Sequence, residues 1–238
     1  MSIPPETAPK SSPTTISMAM HRQWQIIRPR VYRFLPSQFV DKFFEDGSLR
    51  LSSLAKFAQH ADEQRKDTAE GFGVRVGTGT HMMMASVHGR GVDCYVLCGS
   101  MHNTKNIAAA FPDCDSCIII DNPLSFAAEV ALEIPYFQNG FEGSCIYQDD
   151  TTIYKDIADQ TPEQLMDKFR NPDGSVSTEL LTHTAEQIGG IEEYFLKSSI
   201  YIGQSEYRFL WQSRHPVGEF IDIKAPGARR FCRKGQLP

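Results

Sequence analysis

Hydrophobic and polar residues alternate along the segment Tyr201–Trp211, whose sequence is YIGQSEYRFLW. Successive side chains of a strand point to opposite faces, so this alternation predicts a β-strand. One face carries three aromatic side chains, which we interpret as core: Tyr207, Phe209 and Trp211. The other face carries an amide, a carboxylate and a guanidinium: Gln204, Glu206 and Arg208. A polar row on an otherwise apolar strand makes that second face a candidate for function.

The same patterns predict the other elements of the chain. Strands are predicted in QIIRPRVYRFL, SLRLSS, DCYVLCGS, SCIIID, GSCIYQ and EFIDIKA, with a hairpin in VRVGTGTHMMMASVHGRG. EFIDIKA is expected to pair with the alternating segment. Helices are predicted in PSQFVDKFFEDG, NPLSFAAEVALEI, TPEQLMDKFR and STELLTHTAEQIGGIEEYFLK. Because no regular βαβ rhythm appears, the expected class is α+β with a mixed, mainly antiparallel sheet.

Composition predicts one globular domain. The chain has 238 residues, 41% hydrophobic and 22% charged, enough to bury a sizeable core. We expect residues 1–18 to form a disordered tail and residues 19–238 a single domain, since the tail is too polar to pack. No apolar leader or membrane span is apparent, which predicts a cytoplasmic protein that does not enter a membrane.

Charge argues against a general nucleic-acid coat protein, because the net charge is −5 and such proteins are basic. The two ends are nevertheless basic: HRQWQIIRPRVYR near the start and ARRFCRKG near the end. These ends favour nucleic acid weakly as a partner. Solubility is the favoured explanation of these charges.

Four cysteines have a loose zinc-like spacing: Cys94, Cys98, Cys114 and Cys117. Zinc sites place such pairs in tight turns, whereas DCYVLCGS has the pattern of a strand. We therefore interpret the four thiols as core residues and predict no metal site.

Glu206 and Gln204 suggest glycosyl transfer. Positive charge develops at the anomeric carbon in that chemistry, and a carboxylate in a cleft stabilises it. A neighbouring amide can orient the incoming nucleophile. The competing interpretation is that Glu206 pairs with a cation across a solvated face of the sheet.

Two further segments could bind a nucleotide. Arg33 lies between Tyr32 and Phe34 on the first predicted strand, and a guanidinium matches two phosphate oxygens at once. Ser52 and Ser53 end the second predicted strand, where hydroxyl groups can hold a ribose.

This order of Arg, Ser and Q-x-E resembles the layout of ADP-ribosyltransferases that use NAD. The segments VYRF, LRLSS and GQSEYRF carry the resemblance. The wider stretch 31–211, through YRFLPSQFVDKFFEDGSLRLSSLAKFAQHADEQRKDTAEG, YVLCGS and YFLKSSIYIGQSEYRF, resembles a bacterial family of ADP-ribosyltransferase-like domains. That family is similar in layout to the DNA-modifying DarT toxins and to the RNA-modifying CmdT-type toxins of anti-phage toxin–antitoxin–chaperone systems.

The resemblance implies a split ADP-ribosyltransferase-like core with surrounding helices, and NAD as substrate. It implies Glu206 as the catalytic carboxylate and Gln204 as the residue that orients the acceptor. Residues implied in NAD binding are Arg33, Tyr32, Ser52, Ser53, Arg65 and Ser100, and the serine that supports the nicotinamide ribose stays open among the three. The resemblance does not settle the acceptor. The two basic ends weakly favour nucleic acid, RNA before DNA, and a protein side chain is the alternative. An antitoxin protein is implied as a partner.

The segment HADEQRKDTAEG leaves a second enzyme class open. Its charged residues fit an NAD- or target-contacting loop, a solvated helix, or a carboxylate cluster that binds metal in a nuclease. A third possibility is a binding module without catalysis, whose polar strand face recognises a partner.

Overall fold

The computed structural model describes residues 29–57, 72–78, 83–89, 91–156, 162–177 and 191–238. The strands are β1 (Val31–Leu35), β2 (Ser48–Ser53), β3 (Phe72–Thr78), β4 (Met83–Gly89), β5 (Cys94–Ser100), β6 (Ser116–Ile120), β7 (Phe137–Ser144), β8 (Ile146–Tyr147), β9 (Thr152–Asp156), β10 (Leu196–Lys197), β11 (Glu206–Ser213), β12 (Phe220–Lys224) and β13 (Cys232–Gln236). The α-helices are α1 (Ser37–Asp46), α2 (Leu54–Phe57), α3 (Lys105–Ala109), α4 (Pro123–Ala131) and α5 (Pro162–Lys168). Shorter 3-10 helices span Glu192–Tyr194, Ser199–Gln204 and Pro226–Phe231.

The predicted class is confirmed: the chain is α+β, and its main sheet is antiparallel. Six strands follow one another in the order β12, β2, β5, β1, β6, β13, while β11 pairs with β5 and carries β7 on its far side. Two smaller sheets join β4, β3 and β9, and β8 with β10. The predicted hairpin corresponds to β3 and β4, which pair antiparallel.

Strand β5 organises the main sheet, because three strands pair with it. Strand β11 follows one edge of β5 from Cys94 to Ser100. The opposite edge is shared, since β2 pairs only near Tyr95 and Val96 while β1 pairs at Ser100. Strands β1 and β2 therefore part along the middle of β5 and leave a gap beside Cys98.

The core packs against one face of this sheet. The three aromatic residues predicted to share a face of β11 are all buried in the same cluster: Tyr207, Phe209 and Trp211. Helix α4 covers them, with the Phe126 ring 5.3 Å from the Phe209 ring. The Trp211 Nε1 donates to the Ala127 carbonyl over 3.0 Å, so the indole is satisfied inside the core.

Capping residues in the sequence correctly predicted the ends of two helices. Helix α1 ends at Gly47, whose φ of 82° is left-handed and whose N–H donates to the Phe43 carbonyl over 2.8 Å. Glycine suits that conformation because it lacks a Cβ. Helix α4 begins after Asn122, whose side chain accepts from the Ser125 N–H, as expected of an N-cap followed by proline.

The prediction of one continuous strand from Tyr201 was wrong. Ser199–Gln204 forms a 3-10 helix, and Ser205 adopts a left-handed conformation with φ of 45°. The Ser205 N–H bonds back to the Ile202 carbonyl over 3.1 Å, which closes the turn. Strand β11 begins only at Glu206, so Gln204 does not share a strand face with Glu206.

Three further predictions need correction. Strand β12 pairs with β2 and not with β11, because β5 and β7 occupy both edges of β11. Strands β7 and β13 were not predicted, and GSCIYQ is divided between the end of β7 and β8. Of the last predicted helix, residues 178–190 lie outside the described residues, and its end forms a 3-10 helix and β10.

The predicted tail, residues 1–18, also lies outside the described residues. None of the helices in the described ranges is long and apolar enough to cross a membrane.

Candidate functional site

A cavity of about 420 Å³ opens where β1 and β2 part along β5. Six residues singled out from the sequence line it: Tyr32, Arg33, Ser52, Ser100, Gln204 and Glu206. The strand pairing explains why three of them meet. Ser100 at the end of β5 lies opposite Tyr32 of β1 and opposite Glu206 of β11, and directly paired residues share a face of the sheet. The cavity therefore lies on the face opposite the aromatic core.

Glu206 is a buried carboxylate at the wall of this cavity. Its residue is 7% exposed, which excludes the interpretation that it lies on a solvated face. The Arg208 Nε donates to Glu206 Oε1 over 2.6 Å, and the Lys197 ammonium contacts Oε2. Burial by itself would raise the pKa of Glu206, but Arg208 and Lys197 outweigh it and lower the pKa to about 2. The group is therefore ionised throughout the neutral range.

Groups on neighbouring elements complete the surroundings of Glu206. The Cys145 thiol lies 3.6 Å from Oε1. The Tyr147 hydroxyl accepts from the Glu206 N–H over 2.7 Å, and burial raises the pKa of Tyr147 to about 12. Strand β8, which carries Tyr147, pairs in parallel with β10, which carries Lys197. A two-strand sheet thus holds one side of the carboxylate.

Gln204 reaches the cavity from the 3-10 helix that precedes β11. Its carbonyl accepts from the Ser100 hydroxyl over 2.8 Å, and the same hydroxyl accepts from the His102 N–H over 3.2 Å. Ser100 thereby fastens the turn to the end of β5. The Met101 N–H adds a bond to the Ser205 carbonyl over 2.9 Å.

Arg33 lies at the gap between β1 and β2. Its NH1 donates to the Cys98 carbonyl over 2.7 Å, on the stretch of β5 that neither β1 nor β2 covers. The guanidinium is half-buried and lines the cavity together with Tyr32. This contact fixes a cation at the wall of the cavity.

The two adjacent serines of β2 point to opposite faces of the sheet. Ser52 pairs with Val96 of β5 and lines the cavity. Ser53 points to the other face, is 4% exposed, and its hydroxyl accepts from the Lys56 N–H over 3.2 Å. Ser53 therefore acts as a cap of α2 and is not among the cavity residues. Arg65 lies outside the described residues.

The cavity has an apolar end as well as a polar one. The apolar side is lined by Phe34, Leu35, Pro36, Phe39 and Phe111. The Phe34 and Phe111 rings stack with centroids 5.5 Å apart. A ligand with an aromatic ring and a charged, hydroxyl-bearing part would match both ends.

Two of the four cysteines interpreted as core line this cavity instead. Cys98 and Cys114 are half-buried at its wall, whereas Cys94 and Cys117 are fully buried. Burial raises the pKa of Cys94 and Cys117. Within the described residues, no group of three or more His, Cys, Asp and Glu side chains could hold a metal ion. The carboxylates at 62–70 fall outside that range.

The basic C-terminal segment is largely neutralised. Three of its four cations contact carboxylates: Arg230 with Glu129, Arg233 with Asp121 and Lys234 with Asp41. Arg229 donates to the carbonyls of Phe44 and Glu45. This segment offers less free positive charge than its sequence indicated.

Sequence reasoning missed Lys197, Cys145 and Tyr147. Lys197 was visible within YFLKSSIYIGQSEYRF, but no local pattern shows that its ammonium reaches a carboxylate nine residues later. The contact depends on the pairing of two-residue strands β8 and β10, which are too short to give a periodic signal.

No protein-family model matches this chain, and neither a curated protein nor a solved structure does.

Proposed function

We propose that this chain is an NAD-dependent ADP-ribosyltransferase that transfers ADP-ribose to a macromolecular acceptor. The observation that carries the proposal is that Glu206, Arg33 and Ser52 line one cavity although they lie far apart in the sequence. An ionised carboxylate, a guanidinium and a hydroxyl are the groups that this chemistry requires.

In the proposed reaction the bond between the nicotinamide and C1′ of its ribose breaks. Nicotinamide leaves with the bonding electron pair, and C1′ gains oxocarbenium character. Glu206 is already ionised and fixed by Lys197 and Arg208, so it stabilises the positive charge without reorganising. A nucleophile of the acceptor then bonds to C1′ and releases its proton to solvent.

The other residues have positioning roles in this proposal. Arg33 holds the diphosphate, Ser52 or Ser100 supports the nicotinamide ribose with Tyr32 beside it, and Gln204 orients the acceptor. The apolar end of the cavity receives a ring of the dinucleotide. For Ser100 the support is indirect, since its hydroxyl already holds the Gln204 carbonyl.

We propose nucleic acid as acceptor, RNA before DNA, on the basis of the resemblance to toxins that modify nucleic acids. We propose, from the same resemblance, that this ADP-ribosylation blocks growth or phage replication and that an inhibitory partner protects the cell. An antitoxin protein is therefore part of the proposal.

The test is incubation of the purified protein with NAD labelled on its adenylate phosphate, in separate reactions with RNA, DNA and protein from cells. We expect label in the RNA fraction and release of free nicotinamide. Label in DNA or protein would change the acceptor, and absence of both label transfer and nicotinamide release would overturn the proposal. Nucleic-acid cleavage that requires magnesium would support the nuclease instead.

Glu206→Gln is the decisive variant, with Glu133→Gln as its control. Loss of a preorganised charge at the developing cation should lower the rate of nicotinamide release about 100-fold or more. Glu133 is exposed and lies outside the cavity, so its variant should keep the wild-type rate. Circular dichroism must show that both variants are folded.

A further inference from the structure

Two cations hold Glu206 from different directions. Arg208 is fully buried, donates to Glu206 Oε1 over 2.6 Å and uses its NH1 to donate to the Tyr194 carbonyl over 2.7 Å. It does not line the cavity, so it holds the carboxylate from behind. Lys197 contacts the other oxygen, Oε2, and does line the cavity.

Lys197 is itself fixed by its neighbours. It ends β10, where it lies opposite Tyr147 of β8, and its carbonyl accepts from the Gln148 N–H over 3.0 Å. Its ammonium lies 5.0 Å from the centre of the Tyr201 ring, within range of a cation–π contact. The side chain is 5% exposed, so the ammonium has little freedom to leave Glu206.

We propose that Lys197 is a positioning residue for the reaction, which holds the Glu206 carboxylate ionised and turns Oε2 towards the cavity. This inference rests on the proposed function. A carboxylate oxygen has two lone pairs, so Oε2 can accept from Lys197 and from a hydroxyl of the substrate together. Without Lys197, Arg208 is the one cation that contacts the carboxylate among the described residues, and it binds the other oxygen, Oε1.

The titration of Glu206 should report this role. Among the described residues, the groups that contact Glu206 are Lys197 on β10, Arg208 on β11, Tyr147 on β8 and the thiol of Cys145. Only the two cations favour the ionised carboxylate by charge. When Lys197 is replaced by a neutral residue, burial opposes ionisation with one cation left to offset it, so the pKa of Glu206 should rise.

The principal experiment compares Lys197→Met with Lys197→Arg in nicotinamide release between pH 4 and pH 9. Lys197→Met should lower kcat about 100-fold, because a displaced catalytic group costs about that much. The rate should also fall at the acid end of the measured pH range, as Glu206 becomes protonated. Lys197→Arg should restore much of the rate, because it keeps the charge. A fall in binding with unchanged kcat and pH profile would overturn the proposal, since it would show that Lys197 contacts substrate directly.

A double variant separates action through Glu206 from independent action. If Lys197 works through Glu206, adding Lys197→Met to Glu206→Gln should lower the rate no further than Glu206→Gln does. If the rate of the double variant instead falls by the product of the two single-variant losses, the inference is overturned. Lys197→Met keeps the ion pair between Glu206 and Arg208, whereas the double variant leaves Arg208 without a carboxylate, so circular dichroism must show that the double variant is folded.

Lys224→Met is the matched control, because Lys224 forms an ion pair with Asp46 at 2.9 Å but is 70% exposed. It should leave rate and pH profile unchanged. A carbon-13 titration of the Glu206 carboxyl in wild type and Lys197→Met adds a readout that needs no substrate. An unchanged titration would overturn the role of Lys197 whatever the activity, whereas absence of nicotinamide release by the wild type would overturn only the proposed function.

Discussion

The Arg208 guanidinium donates to the carboxylate of Glu206 from two residues further along the same strand, over 2.6 Å. Both side chains point to the same face of β11, away from the aromatic core. The polar face of this strand therefore carries a buried ion pair, and its carboxylate lies at the wall of a cavity.

Lowering the pH should destabilise the folded protein, because Glu206 becomes protonated and its ion pairs are lost. The pKa of its carboxyl is about 2 in the folded protein, below the ordinary value of 4.5. The ion pairs therefore stabilise the protein fully above about pH 4.5, and this stabilisation is lost as the pH falls towards 2. Urea unfolding followed by tryptophan fluorescence should show wild type more stable than Glu206→Gln by about 3 kcal/mol at pH 7. A difference that stays constant down to pH 3 would contradict the expectation.

Glu142 should have the opposite pH dependence. Burial raises the pKa of this carboxyl, and its Oε2 has no hydrogen-bond partner among the described residues. Its protonated form favours the folded state, so stability is greatest below the ordinary pKa of 4.5 and falls as the pH rises. Glu142→Gln should therefore stabilise the protein at pH 8 by about 1 kcal/mol. Thermal unfolding at pH 4 should show a smaller gain than at pH 8, and an equal gain at both would refute this cause.

Arg33→Met should weaken substrate binding without abolishing the fold. A charge-assisted hydrogen bond is worth about 1.5–3 kcal/mol, so KM for NAD should rise about 10- to 100-fold. The control is Arg30→Met. Arg30 pairs with Asp121 at 2.8 Å on the surface, and exposed pairs contribute little. Equal effects of the two variants on KM would argue against a phosphate-binding role for Arg33.

Ser52→Ala and Ser53→Ala should affect different properties. Ser52 lines the cavity, so its loss should lower kcat/KM about fivefold, the value of one hydrogen bond of about 1 kcal/mol. Ser53 caps α2, so its loss should cost about 1 kcal/mol of stability and leave kcat/KM unchanged. Steady-state kinetics and chemical denaturation of both variants would check the pair. The reverse pattern would mean that Ser53, and not Ser52, faces the cavity.

Local signals in the sequence were sufficient wherever an element depends on its own residues. The helix closed by Gly47 and the helix opened by Asn122 are examples, since a left-handed glycine and an N-cap act within one turn. The buried strands β5 and β6 are others, because short apolar runs bounded by turn residues identify them. The position of Ser205 was not predictable in this way, because serine rarely adopts a left-handed conformation.

The sequence by itself determined the α+β class, the aromatic face of β11, and the candidate polar residues Arg33, Ser52 and Glu206. Only the tertiary structure decided which of them meet. Ser52 and Ser53 differ by one position, and the register between β2 and β5 turns one towards the cavity and the other away. Lys197 joins Glu206 because two short strands pair in parallel. Such contacts depend on the pairing of segments distant in sequence, which local periodicity does not encode.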